Sequence, residues 1–349
     1  VKRIAYLDAV RALAVILIVF VHAWAPLVAN ADFIAAEHGW IHSAHGWIIW
    51  ETISFPTRCG VPLFAMLTGA LMLGRDYPNI SAFLKKKLLK FGAATLVCAV
   101  LYWIFVHFLF GIPFKGFSKG LFRGDPLGAY HLWYMYMLIG LYASVPLLAR
   151  LLKILPEREF LYIIILSFVL VIIPFTLKRE SLGLAYFGSY SFLIQAWPLY
   201  ALLGYWLHKY NGLKNSDIRL RLAAFFLLWT AIVWVEFYKL FYKNPLGDLD
   251  KITAYDSLWV FAASVLLFSI IRDCFANAER LNGAVRLIAE SAFSIYLWHL
   301  IAIHLGIYLY PHLGGNVFIA PFVMLLSGIT IGIVIYLALR NTKLSWLVK

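Results

Sequence analysis

Charge is what this sequence has least of. Asp, Glu, Lys and Arg make up 13% of its 349 residues, where a soluble domain carries about 25%. Acidic residues are the scarcer sign, 17 against 30 Lys and Arg. That shortage excludes a large water-soluble domain. Cysteine is also sparse: Cys59, Cys98 and Cys274 lie in or beside apolar stretches and form no CxxC pair, which argues against a disulfide framework or a cysteine zinc site. The sequence has no P-loop, dinucleotide fingerprint, internal repeat or low-complexity segment, so nucleotide-binding and solenoid folds lose their usual signals.

What fills the chain instead is apolar. Hydrophobic residues reach 63% and the mean hydropathy is +0.83. This composition defines an all-α polytopic membrane protein, read as one integral-membrane domain over residues 1–349. The net charge of +13 sits in short loops between apolar runs. Membrane orientation and lipid headgroups explain it better than nucleic acid does.

Apolar runs of helical length fall at about 7–29, 47–74, 88–110, 131–152, 159–177, 191–208, 220–242, 255–275, 287–310 and 316–340, which predicts about ten transmembrane helices. Pro56 and Pro62 predict a kink or break in the second. The first follows the basic Lys2-Arg3, but it is too long and too polar for a signal peptide and reads as a retained helix.

Twenty of the thirty basic residues share the side of Lys2 and Arg3, in segments near 75–90, 150–158, 209–221, 272–286 and 340–349. Eight fall on the other side, at 115–123, 178–179 and 239–251, while Arg11 and Arg58 lie near or within spans. The alternation fits an even number of spans and places both termini in the cytoplasm, in a bacterial-type cytoplasmic membrane.

The ionisable groups inside apolar runs are the functional candidates, because each is costly there. Residues 7–29 carry Asp8, Arg11 and His22. Eleven helical steps return nearly to one azimuth, so Arg11 and His22 share a face roughly 16 Å apart along the axis. A neutral imidazole in a dry cavity suits removal of a proton from a hydroxyl. Arg58 opens a Gly- and Pro-containing run, and irregular backbone at membrane depth is tolerated where it is buried in protein or lines a cavity. Lys87 and Lys90 stand one turn apart at the mouth of the third span, as positive-inside residues or as a clamp for an anionic donor.

His131 and Trp133 open the fourth span on the outer side, and Tyr296 and His299 lie in the ninth. Glu236 needs a partner inside the seventh span, and Glu290 is placed to pair with a cytoplasmic arginine. His38 and His42, in an outer loop, have one-face helical spacing but no carboxylate or cysteine at a diagnostic distance, so no metal site is expected.

In five segments the chain resembles the acyltransferase-3 family of integral-membrane acyltransferases. LDAVRALAVILIVFVHA is similar to that family's opening helix with its Arg-x10-His motif, here Arg11 and His22. RCGVPLFAMLTGALML is similar to its Arg-x-x-VPLFFxxSGY segment, with Thr68 and Ala70 in place of the serine and tyrosine. KKKLLK resembles its basic RxxR segment, with Lys87 and Lys90 where arginines are common. HLWYMYMLIGLY and SAFSIYLWH complete the set, in the expected order along nearly the whole chain.

The resemblance implies transfer of an acyl group, most often acetyl from acetyl-CoA, to a hydroxyl of an envelope or lipid-linked saccharide, by a stand-alone member of the family. Under it His22 is general base or transient nucleophile. Arg58 holds the oxyanion or the acceptor, and Asp8 orients Arg11. Arg11, Lys87 and Lys90 receive the CoA phosphates, while His131, Trp133, Tyr296 and His299 line the acceptor side; no metal is called for. A transporter or flippase of a lipid-linked sugar is the alternative that broken helices and intramembrane charge also fit. A sensor or scaffold would need neither a base nor a donor site.

Overall fold

The computed structural model describes residues 3–25, 44–112, 116–123, 126, 128–176, 196–242, 253–313 and 319–349. Every secondary-structure element among them is helical: α1 (Ala5–Trp24), α2 (Ala44–Thr57), α3 (Gly60–Met72), α4 (Ile80–Phe110), α5 (Phe117–Arg123), α6 (Trp133–Ile154), α7 (Glu157–Ser167), α8 (Ile173–Thr176), α9 (Ala196–Lys209), α10 (Ile218–Tyr242), α11 (Leu258–Cys274), α12 (Gly283–Leu313) and α13 (Ala320–Leu339), with short 3-10 turns at Tyr130–Leu132 and Ser345–Leu347. His38 and His42 lie outside the described residues.

Each of the ten apolar runs contains helix, but only six described helices are long and apolar enough to cross a membrane. They are Ala5–Trp24, Ile80–Phe110, Tyr130–Ile154, Ile218–Tyr238, Gly283–Leu309 and Ala320–Leu339. The other four runs are divided or short. The second splits into α2 and α3 at Arg58-Cys59, between its two prolines. Pro62 has no N–H to give to a carbonyl one turn back, so it sits in the first turn of a new helix, where no donor is needed. The fifth is interrupted by a π-helical turn at Phe168–Ile172. α9 and α11 have 14 and 17 residues.

Packing divides the described residues into two compact units: residues 1–17, 30–76 and 144–281, and residues 18–29, 77–143 and 282–349. In the first unit α3 and α9 meet backbone to backbone, with Gly69 against Ala201 and Gly204 against Met66. The Trp229 indole of α10 donates to the Thr52 carbonyl of α2 at 2.9 Å. The Arg272 guanidinium of α11 is buried and donates to the carbonyls of Leu207 and Gly212 at 2.9 and 2.8 Å, which ties α9 and the loop after it to α11. Glu236 is fully buried in α10.

The second unit holds the end of α1, α4, α5, the start of α6, α12 and α13. α4 begins at Asn79, whose side chain accepts from the Ala82 N–H at 2.8 Å, and ends at Gly111 with φ +66. These are a side-chain N-cap and a left-handed C-terminal glycine. Gly328 and Gly332 of α13 let it lie against α12: a Cβ at Gly332 would fall 2.4 Å from the Ile295 Cα. Small residues four apart permit this approach where no water drives helices together. The Ser294 hydroxyl seals the contact by donating to the Gly332 carbonyl at 2.8 Å. In the first turns of α12, Glu290 pairs with Arg286 at 2.9 Å.

Candidate active site

The end of α1 carries His22 into the second unit, where two further imidazoles meet it. His22 stacks on His299 of α12, with ring centroids 5.2 Å apart and planes 29° apart. His131, from the 3-10 turn before α6, stands edge-on to both, 5.1 Å from His299 and 6.4 Å from His22. His22 is half-buried, whereas His131 and His299 are almost wholly removed from the surface at 1% and 0% exposure. Among the described residues, no three His, Cys, Asp or Glu side chains converge as a metal site requires.

Aromatic hydroxyls and backbone carbonyls frame the cluster. The Tyr296 hydroxyl donates to the His131 carbonyl at 2.5 Å. The Tyr102 hydroxyl of α4 donates to the Leu297 carbonyl at 2.9 Å, and its ring lies 5.4 Å from His131. Neither ring nitrogen of His131 has a partner in hydrogen-bonding geometry among the described residues. His299 Nδ1 lies 2.8 Å from the Tyr296 carbonyl and 3.1 Å from that of Ile295.

The turn that carries His131 is held from below. Gly128 adopts φ +75, and its carbonyl accepts from His304 Nε2 at 2.8 Å. Tyr130 meets the His22 ring at 5.2 Å. Tyr102, Tyr130 and His304 were not singled out in the sequence. Tyr130 was the accessible one, since it adjoins His131 in a turn announced by Gly128. Nothing local marks Tyr102 or His304, which reach the cluster only through helix packing.

The remaining candidates fall into two groups. Trp133 opens α6 and packs at right angles to Tyr134, whose ring meets Tyr296 at 5.3 Å. Lys87 places its ammonium over three rings, closest to Tyr142 at 4.5 Å. Lys90 lies over Phe293 at 5.0 Å and donates to the Lys349 carbonyl. These three belong to the unit of His22. Asp8, Arg11 and Arg58 belong to the other unit. There Asp8 Oδ1 accepts from Arg11 Nη1 and Oδ2 from Arg3 Nε, both at 2.8 Å. Arg58, at the break between α2 and α3, is half-buried and hydrogen-bonds Tyr255.

Six helices long and apolar enough to cross a membrane mark a multi-pass membrane protein, and one of its units buries a cluster of imidazoles and tyrosines. The model of the acyltransferase domain family (acyltransferase 3) matches residues 4–339, nearly the whole length, and the chain belongs to that family of membrane acyltransferases. No curated protein and no solved structure matches the chain.

Proposed function

We propose that this chain moves an acyl group, acetyl above all, from cytoplasmic acyl-CoA to a hydroxyl of an extracytoplasmic or lipid-linked saccharide. The observation that carries the reading is the position of His22, half-buried beside two fully buried imidazoles. A half-buried imidazole beside buried rings can meet a hydroxyl while largely shielded from water, as a general base requires. The alcohol oxygen attacks the thioester carbonyl carbon while His22 takes its proton. The C–O bond forms, the C–S bond breaks, and the CoA thiolate takes the proton back from His22.

Lys87 and Lys90 form the basic rim for the CoA phosphates. Their ammonium groups are compact charges packed over aromatic rings; they attract phosphate as points and not as two-pronged forks. In the other unit Arg11, whose guanidinium Asp8 holds at 2.8 Å, is the candidate for a further phosphate contact.

The test is thioester turnover by the purified full chain in vesicles, with acetyl-CoA as donor and free thiol as the readout. The proposal expects thiol release that rises when saccharide is supplied, with label recovered on the saccharide. A flippase of a lipid-linked sugar would release no thiol.

A further inference from the structure

The hydrogen bonds of His299 fix which of its nitrogens carries the proton. Both neighbours of Nδ1 are backbone carbonyl oxygens, of Tyr296 at 2.8 Å and Ile295 at 3.1 Å. A carbonyl only accepts, so Nδ1 is the N–H, and in the neutral ring the lone pair is on Nε2. Nε2 is buried and has no partner among the described residues. His22 stacks on the ring, 5.2 Å away with the planes 29° apart, and gives Nε2 no hydrogen bond. A buried acceptor left without a donor costs about 1–3 kcal/mol, and inside an apolar bundle no bulk water is at hand to fill it.

We infer that His299 is a positioning residue for the alcohol substrate, its Nε2 receiving a hydrogen bond from a second hydroxyl beside the one that His22 deprotonates. The inference rests on the acyl-transfer reading above and adds to it a demand on the substrate: two neighbouring hydroxyls. Such oxygens stand about 3 Å apart, a hydrogen bond's length, which suits two imidazoles stacked at 5.2 Å. One hydroxyl reacts at His22. The other donates to His299 Nε2 and keeps its proton, so His299 neither gains nor loses one during transfer. His131, with both nitrogens unfilled, offers a further donor and acceptor to the same molecule.

Substitution at His299 separates the two nitrogens. His299→Asn retains an N–H for the two carbonyls and removes the Nε2 acceptor, whereas His299→Ala removes both. The first experiment is nitrogen NMR of the purified full chain labelled with 15N-histidine, the His299 signals being assigned by their loss in His299→Asn. The expected spectrum shows an Nδ1-protonated ring whose Nε2 signal moves on addition of trans-1,2-cyclohexanediol and stays in place with cyclohexanol. An Nε2-protonated ring, no movement with the diol, or equal movement with both alcohols would overturn the inference.

The second experiment follows acetyl transfer from acetyl-CoA to the same two probes. His299→Asn is expected to lower kcat/KM for the diol about ten-fold, the loss of one hydrogen bond to a buried acceptor, mainly through KM, and to lower it far less for cyclohexanol. Equal losses for both alcohols would reduce His299 to a structural role and overturn the inference. If the protein shows no thioester turnover, the acyl-transfer reading fails by itself, while the tautomer and the diol response are still read by NMR.

Discussion

The hydroxyl of Tyr296 donates to the backbone carbonyl of His131 at 2.5 Å. One side chain of α12 thereby fixes the turn that delivers an imidazole from 165 residues away. The bond is buried, and Tyr296 lies three residues before His299, so α12 both carries one imidazole and positions a second.

Tyr296→Phe removes that donor and leaves a buried carbonyl with less compensation. A loss of about 1–3 kcal/mol in stability is expected, read as a lower unfolding temperature in detergent. Thioester turnover should fall further than a comparable loss at a buried tyrosine of the other unit produces, such as Tyr200→Phe, where the hydroxyl donates to the Tyr255 carbonyl at 2.7 Å. Equal effects of the two changes would deny His131 a part in the site.

Gly128→Ala strains the same turn from below. Gly128 has φ +75, and an added Cβ would stand 2.6 Å from Val106 Cγ1. The left-handed backbone disfavours alanine by about 1 kcal/mol, and the contact adds to it. Val106→Ala in the same chain should restore part of the unfolding temperature by removing the clash, with the backbone term remaining. Full restoration would show that the left-handed conformation has no cost here.

Gly332→Ala tests the approach of α13 to α12. Its Cβ would meet the Ile295 Cα at 2.4 Å, and backbone cannot turn aside as a side chain does. The helices must part, with overpacking of about 1–3 kcal/mol or more. Because Ile295 supplies one of the two carbonyls that hold His299 Nδ1, the His299 nitrogen signals should move as well. An unchanged melting temperature and spectrum would contradict the packing described.

Asp8→Asn keeps the shape of the side chain and removes the charge that Arg3 and Arg11 share. Both arginines retain partial exposure, so the stability change is small, about 0–1 kcal/mol. If Arg11 receives a CoA phosphate, the KM for acetyl-CoA should rise about two- to five-fold with kcat little altered. A fall in kcat alone would take Asp8 and Arg11 out of donor binding.

Much of this architecture could be read from the chain. Hydropathy located helix in every apolar run, since a membrane span must bury its backbone polar groups within one segment. Pro56 and Pro62 announced the break that separates α2 from α3. Glu290 was expected to pair with an arginine, and the partner is Arg286, one helical turn before it. Other features depend on tertiary packing and leave no local mark. The π-helical turn at Phe168–Ile172 lies in FVLVI, where no glycine or proline signals it. The two compact units cut through α1 and α6, each a continuous apolar helix.

The site divides in the same way. His22, His131, Tyr296 and His299 were candidates from the sequence, but their convergence was not legible, because 168 residues separate the two buried imidazoles and only the packing of α4, α6 and α12 joins them. Lys90 was expected as a rim cation, but its bond to the Lys349 carbonyl was not legible, because 259 residues separate the two.

The central claim is that His22 is the proton acceptor in acyl transfer. Its most direct test is acetyl transfer from acetyl-CoA by purified His22→Ala protein, with membrane insertion and melting temperature checked in the same preparation. The account predicts an inserted, folded protein whose transfer rate is down at least about 100-fold, the usual loss on removing a general base. A His22→Ala protein that still transfers acetyl at near the parent rate would contradict it.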